Sequence, residues 1–442
     1  MLSIFSSPHA RRGGLRLTGW LASLILGHGL AYGQGPAVTL DEAVRLATVE
    51  SPAIEAAQAS VNASSQAAVK AGQLPNPMLT AGIDNLPING PDRYTATQDM
   101  LSMRRVGVEQ EWVSGEKRRL QSALAQAMTD HEKTAYLAQW ASVRQQTAQA
   151  WLDAAYAKKT LALQRDWVDQ MRREAAGANA TLRGGRSGAT DAARAQALLA
   201  QAQDQLLAAE QQWRTALIRL SRWTASPITD VSGAPPAPRS AVESFTLDQL
   251  RQVQPALIDA AHAIKVADTD TALADRNRAP NWTWNVSYLQ GSRDSRYVSL
   301  GVSIPLTFNH ANVEDRDVAQ KAELGNQARY ASRDAERRVL ADTRALAENL
   351  ASGRQRIDNL NHTLLPAADR AAQLALAAYQ GATGTLADVY ATRRARLDAR
   401  LQVLALQRDV SMTWAQLDYQ VVPPAMACLL YTSPSPRDQR GS

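Results

Sequence analysis

The sequence predicts a mainly α-helical chain with a transmembrane β-barrel portion, in which long helical hairpins stand on four strands. Three observations carry this. One plan occurs twice in the chain, each copy has a stretch where the hydrophobic period falls from helical to two, and each copy has a helical run too long for a globular domain.

The repeat places the elements. "VTLDEAVRLATVESPAI" opens the first copy and "FTLDQLRQVQPALI" the second, after the Pro-rich "SGAPPAPRSAVES". Thr39 with Glu42 and Thr246 with Gln249 both have capping-box spacing, so each marks a helix start. Pro52 precedes Pro77 by 25 residues and Pro255 precedes Pro280 by the same 25, with Ala-rich helical sequence between. The segments expected are 1–33 as a signal peptide, 34–222 as the first repeat, 223–245 as a linker, 246–422 as the second repeat and 423–442 as a tail.

After each second proline the alternation is that of a strand. "NWTWNVSYLQG" puts Trp282, Trp284, Val286 and Tyr288 on one face; "RYVSLGVSIPL" does the same for Val298, Leu300, Val302 and Ile304. In the first copy "MLTAGIDNLPI" and "RRVGVEQEWV" flank a loop holding Pro87 and Pro91. Each half therefore contributes one hairpin of about ten-residue strands, a length suited to a membrane barrel. A small water-soluble sheet is the alternative. Trp112, Trp282, Trp284, Tyr288 and Tyr297 form a candidate aromatic girdle at a membrane interface, against ordinary packing beneath the barrel.

Each hairpin leads into a long helical region. Glu116 to Thr181 contains no proline and a single glycine, Gly177; Ala311 to Gln380 is similar, with a kink expected at Pro366. A polar turn and a returning helix follow, Ala189 to Arg222 and Thr385 to Tyr419. Gly184 and Asp191 recur 197 positions later as Gly381 and Asp388, so the two turns are equivalent hairpin tips at the end away from the strands. Thr385 with Asp388 also fits a capping pattern, and a first-turn acid favours the positive helix end whatever else it does. Arg183, Arg186, Arg393 and Arg394 stand close enough in sequence to pair with these acids. Four strands cannot enclose an aqueous lumen, so several chains must contribute.

Composition narrows the function. The net charge is +6, but basic and acidic residues alternate without a dense basic block, which argues against nucleic-acid binding. Arg11, Arg12 and Arg16 precede an apolar run of about 14 residues and a small-residue cleavage site, hence the expected signal peptide; roughly 20 residues would be needed to span a membrane. The only cysteine, Cys428, lies in a tail, "AMACLLYTSPSPRDQRGS", whose pattern departs from the preceding periodicity and is set aside as an artefact. No catalytic constellation, phosphate-binding loop or cofactor motif is present, and Met100 with Met103 in "TQDMLSM" is weak as a metal site. The sequence is read as a non-enzyme with no cofactor and no resident metal.

From about Val38 to Tyr419 the chain resembles the outer-membrane efflux proteins of the TolC type. The resemblance rests on "TLDEAVRLATVESPAI", "AGQLPNPMLTAGI", "GEKRR", "LRGGRSGATDAARAQALL", "LGVSIPLTF" and the run from "AYQGATGTLADVY" to "WAQLDY". The last segment most resembles the heavy-metal branch. The resemblance implies a homotrimer in outer-membrane lipid: a 12-stranded barrel, four strands per chain, on a periplasmic helical tunnel. It further implies a periplasmic adaptor and an inner-membrane pump of the RND type as partners, with Gly184, Asp191, Gly381, Thr385 and Asp388 at the tunnel mouth. Some relatives carry a lipidated cysteine after the signal; this chain has none there. The function expected is the exit duct of a tripartite efflux system exporting heavy-metal cations. The alternatives are a duct for drugs or secreted protein, and a soluble periplasmic helical-hairpin scaffold.

Overall fold

The computed structural model describes residues 37–184 and 188–428. The signal segment 1–33, Arg186 and most of the tail lie outside the described residues. The first half runs α1 (Leu40–Val49), α2 (Pro52–Ala71), β1 (Met78–Asp84), β2 (Met103–Trp112), α3 (Gly115–Arg183) and α4 (Ala189–Ser221). The second half repeats it as α5 (Leu247–Val253), α6 (Pro255–Asn277), β3 (Trp282–Gln290), β4 (Arg296–Ser303), α7 (Glu314–Asn359), α8 (Leu365–Gln380) and α9 (Leu386–Tyr419).

The helix starts follow their caps. Thr246 and Gln249 form the full reciprocal box. Thr39 accepts from the Glu42 amide at 3.3 Å, but the Glu42 carboxylate turns away to Arg45 at 2.6 Å. An arginine one turn on wins the carboxylate, so only half the expected box forms. Pro52 and Pro255 each stand in the first turn of their helix, where the missing N–H costs no bond.

α3 is 69 residues long, roughly 100 Å at about 1.5 Å per residue. Its counterpart is interrupted: a π-helical turn, Leu360–Leu364, separates α7 from α8. Pro366 has no N–H to offer the His362 carbonyl. His362 Nδ1 donates to the Asp358 carbonyl at 2.7 Å and Thr363 Oγ1 to the Asn359 carbonyl at 2.6 Å. The π turn falls immediately before the proline at which a kink is expected, and the His362 and Thr363 side chains there add bonds to carbonyls one turn back.

The four strands make one antiparallel sheet in sequence order, β1-β2-β3-β4. The two hairpins meet at the β2–β3 pairing, Arg104 opposite Gln290 through Trp112 opposite Trp282. β1 has 7 residues and β4 has 8, shorter than the expected ten. Asn85, with φ +57, turns the chain out of β1, and Pro305 stops β4. β1 and β4 are the open edges of the sheet.

The main core lies partway along α3, where the segment before α1, residues 223–245 and α9 wrap around it. Trp151 Nε1 donates to the Val38 carbonyl at 2.9 Å, Trp414 Nε1 to the Arg239 carbonyl at 3.0 Å, and Tyr156 shares a buried 2.8 Å bond with Ser411. The Pro-rich segment is an ordered strap. Val231 bridges to Val38, Lys158 pairs with Asp230 at 2.6 Å, and Arg354 grips Glu243 at 2.8 Å. At the other end of the chain, Val422 N donates to the Val253 carbonyl at 2.9 Å and Met426 rests on the cluster that Val422 joins.

Candidate functional site

Two regions carry the candidate residues: the sheet at one end of the long helices and the hairpin tips at the other.

In the sheet, paired residues share a face, so the register sorts every side chain. One face carries, row by row, Trp112 with Trp282, then Gln110, Trp284 and Val302, then Leu79, Val108, Val286 and Leu300, then Ala81, Val106, Tyr288 and Val298. The other carries Thr80, Gly107, Ser287 and Ser299 in one row and Met78, Glu109, Asn285 and Gly301 in the next. On the central strands the apolar face is the more open one: Val286 is 37% accessible, whereas its neighbour Ser287 on the polar face is 5%; on the edge strand β4 both faces are exposed. Such a sheet is inverted relative to a water-soluble one, whose apolar face packs on a core.

The polar face is closely fitted. A Cβ at Gly301 would lie 2.6 Å from Asn285 Oδ1, and one at Gly107 would collide with Ser287. Sequence reading assigned no role to these glycines, although their place opposite polar β3 residues follows once the register is known.

Trp112 and Trp282 pack with ring centroids 6.1 Å apart at the helix end of the sheet, Trp284 stands one row on, and Tyr288 lies toward the opposite end. Tyr297 departs from the girdle expectation. It pairs with Leu289, which pairs with Arg105, so it lies on the polar face. It is the immediate neighbour of the apolar Val298, and a shift of one residue reverses the face. Met103 begins β2 opposite Asp84, and Met100 is exposed in the β1–β2 loop. Among the described residues no group of three or more His, Cys, Asp or Glu is placed to hold a metal ion.

The sheet is fixed to the helices by a side chain that sequence reading passed over within "GEKRR". Lys117 is buried, and its Nζ donates to the Ala279 carbonyl and to Asn281 Oδ1, both at 2.9 Å. Asn281 Nδ2 in turn donates to Glu111 Oε1 at 2.7 Å. Burial pushes the Lys117 ammonium below its ordinary pKa, and the nearby Arg276 charge pushes the same way. This chain of bonds ties the exit of β2 to the entry of β3.

At the second tip the α8 helix ends in an overlapping set of bonds: Gly381 N to the Ala377 carbonyl at 2.9 Å, Thr383 N and Gly384 N to the Ala378 carbonyl at 2.9 and 3.0 Å. The left-handed position is Ala382, φ +58, while Gly381 has φ −79. Gly384 is needed for closeness instead, since a Cβ there would lie 3.0 Å from that of Ala378. Thr385 and Asp388 form a reciprocal capping box, with Thr385 Oγ1 also donating to Asp388 Oδ2 at 2.6 Å. These bonds from Thr385 hold the Asp388 carboxyl below the usual carboxylate range. At the first tip Gly184 closes α3 and Asp191 lies in the first turn of α4, whose cap, Gly188, offers no side chain.

The tips are held together by a small apolar cluster that includes Trp167, Met171, Ala195, Tyr390 and Leu397. Burial raises the Tyr390 phenol pKa, and the Asp191 charge adds to it. The arginines expected to pair with the tip acids are engaged elsewhere. Arg393 bonds Glu174 on α3, which also accepts from Gln170 at 3.0 Å. Arg394 pairs with Asp398 at 3.0 Å and donates to Gln205 at 2.9 Å. Among the described residues, Arg183 makes no ion pair. The Asp388 carboxylate is committed to its cap.

Residues 43–226 match the family described as outer membrane efflux protein. Comparison with characterised proteins by sequence gives no match. Several solved structures share the fold. A membrane protein from Pseudomonas aeruginosa superposes with a TM-score of 0.75 at 15% identity, over 86% of this chain and 89% of its own. The CmeC outer membrane channel of Campylobacter jejuni gives 0.74 at 15% identity, over 86% and 85%. The outer membrane protein VceC of Vibrio cholerae gives 0.71 at 14%, over 86% and 95%.

Proposed function

We propose, for a chain whose residues 43–226 match the outer membrane efflux protein family and whose second half repeats that plan, the role of exit duct in a tripartite efflux system. Three copies close a 12-stranded barrel by joining β1 of one chain to β4 of the next, and their helices form a periplasmic tunnel. The inverted sheet is the observation that supports this reading: its exposed apolar face suits lipid, its glycine- and serine-rich face suits a water-filled lumen, and its two edges are open. The four strands of 7–10 residues are near the length expected of a tilted spanning strand, about 9–11 residues.

The duct works by gating and conduction. The family and fold are those of channels, and the energy for transport comes from an inner-membrane pump linked through a periplasmic adaptor. Gly184, Asp191, Gly381, Thr385 and Asp388 form the tunnel mouth, with the clamp of Arg393 on Glu174 holding α9 against α3 behind it. Asp388→Ala removes a carboxylate from that mouth and is expected to change single-channel conductance; an unchanged value would leave the residue a helix cap alone.

The cargo proposed is heavy-metal cations, on the likeness of residues 378–419 to the heavy-metal branch of the family. Expression in a bacterium stripped of its own efflux ducts, but supplied with the cognate adaptor and pump, tests this. Restored resistance to copper, zinc or cadmium supports it. Resistance confined to organic drugs points to the drug duct instead.

A further inference from the structure

The outward face of the sheet is asymmetric from end to end. At the helix end its last row is aromatic and neutral, Trp112 with Trp282. At the opposite end, beyond Tyr288, the last row is Ile83, Arg104, Gln290 and Arg296. Arg104 and Arg296 are both exposed, and among the described residues neither carries an ion pair. Their neighbour Arg105 points to the polar face and is matched there by Asp84 at 3.3 Å.

An arginine on a lipid-facing surface is costly unless its head reaches polar groups, so two on one rim call for an anionic partner. Two strand spacings separate them, about 10 Å, close enough for extended guanidinium groups to converge on one phosphate. Resting on the barrel reading above, we infer that Arg104 and Arg296 form a binding rim for the phosphate groups of lipids in the leaflet distal to the helices. Three arguments favour that occupant. The rim continues the apolar band without a break, its charge complements a phosphate, and arginine's planar fork suits phosphate oxygens. Acyl chains would cover Val106, Tyr288 and Val298 while the headgroup takes the two arginines. A lipid headgroup, not a protein, fits because the same side chains must also sit beside hydrocarbon.

The test uses protein extracted from the outer membrane in mild detergent and first weighed as an assembly. Native mass spectrometry then follows titration with lipid A, a diphosphorylated glycolipid, and with phosphatidylcholine. Wild type is expected to prefer lipid A, with affinity falling between about 50 and 200 mM salt as screening grows. Arg104→Gln/Arg296→Gln is expected to weaken lipid A about 30-fold, equivalent to about 2 kcal/mol at roughly 1 kcal/mol for each arginine. Arg104→Lys/Arg296→Lys keeps the charge but not the fork, so it should retain the salt dependence with an affinity between wild type and the Gln variant, and binding of phosphatidylcholine, which has no net charge, should change little in either. A trimer that binds the two lipids equally, or ignores salt, overturns the rim and leaves the barrel standing. A water-soluble monomer overturns the barrel itself.

Discussion

Leu300→Arg and Ser299→Arg are adjacent substitutions on one exposed edge strand, and a membrane separates their effects. Leu300 belongs to the middle row of the apolar face, opposite Val286. Val286 lies four residues from Trp282 and four from Gln290, about 13 Å each way along the strand, hence near the middle of the bilayer. An arginine there costs about 2–4 kcal/mol in each chain, whereas one facing the lumen costs little. Ser299 faces the polar side, in the row of Ser287 and Gly107. In water neither change should matter: Leu300 is already 76% exposed, and surface substitutions fall within about 0.5 kcal/mol of neutral. The assay is refolding into lipid vesicles across a urea series, read by the compact band on an unheated gel. Leu300→Arg is expected to lower the midpoint well below wild type, with Ser299→Arg close to it. Equal midpoints for the two variants would refute the assignment of the faces.

Further expectations concern the helices. Ala382→Gly removes the cost of a side chain in the left-handed region and should stabilise the second tip by about 1 kcal/mol; Gly384→Ala, forced against Ala378, should destabilise it. Hydrogen exchange at Thr383 and Gly384 reads both. Arg393→Met strands the largely buried Glu174 carboxylate and should cost about 2–3 kcal/mol in chemical unfolding, less than a fully buried pair because both groups keep some solvent; a loss below 0.5 kcal/mol contradicts the clamp. Gly353 packs against Val410 so closely that a Cβ would overlap it. Gly353→Ala and Val410→Ala should therefore couple, the double variant being more stable than the sum by about 1–2 kcal/mol, and additivity would refute the contact. Asp388, held below its ordinary carboxyl pKa by Thr385, adds stability that is present above about pH 4 and lost as the pH falls further. Exchange at the Asp388 amide should quicken there, and Asp388→Asn should remove that acid limb.

What the sequence made legible was local and repeated. Caps at Thr246 and Thr385, the prolines opening α2 and α6, and the 197-residue offset of the tips are signals within one turn of chain or between two copies of it. Strand alternation likewise gave the two faces of β3. Partners were another matter. The β2–β3 pairing joins residues 170 to 186 positions apart, and alternation says which face a residue takes but not which strand lies beside it. Tyr297 is a different case: aromatic chemistry suggests a girdle, while its parity with Val298, already present in the sequence, puts it on the polar side. Arg393 and Arg394 stand near Asp388 in sequence, yet the helix turns them toward Glu174 on α3 and Gln205 on α4. Lys117 stands among neighbouring basic residues in the first turn of α3, and only the approach of Asn281 from the other repeat makes it a buried tether.

The central claim, that three copies form a membrane-spanning duct, is tested most directly by the mass of the species extracted from membrane fractions, using a chain ending near Val422. Three chains recovered together from the outer membrane is the expected result. A monomer recovered without detergent from the periplasmic fraction would contradict the claim and favour a helical-hairpin scaffold.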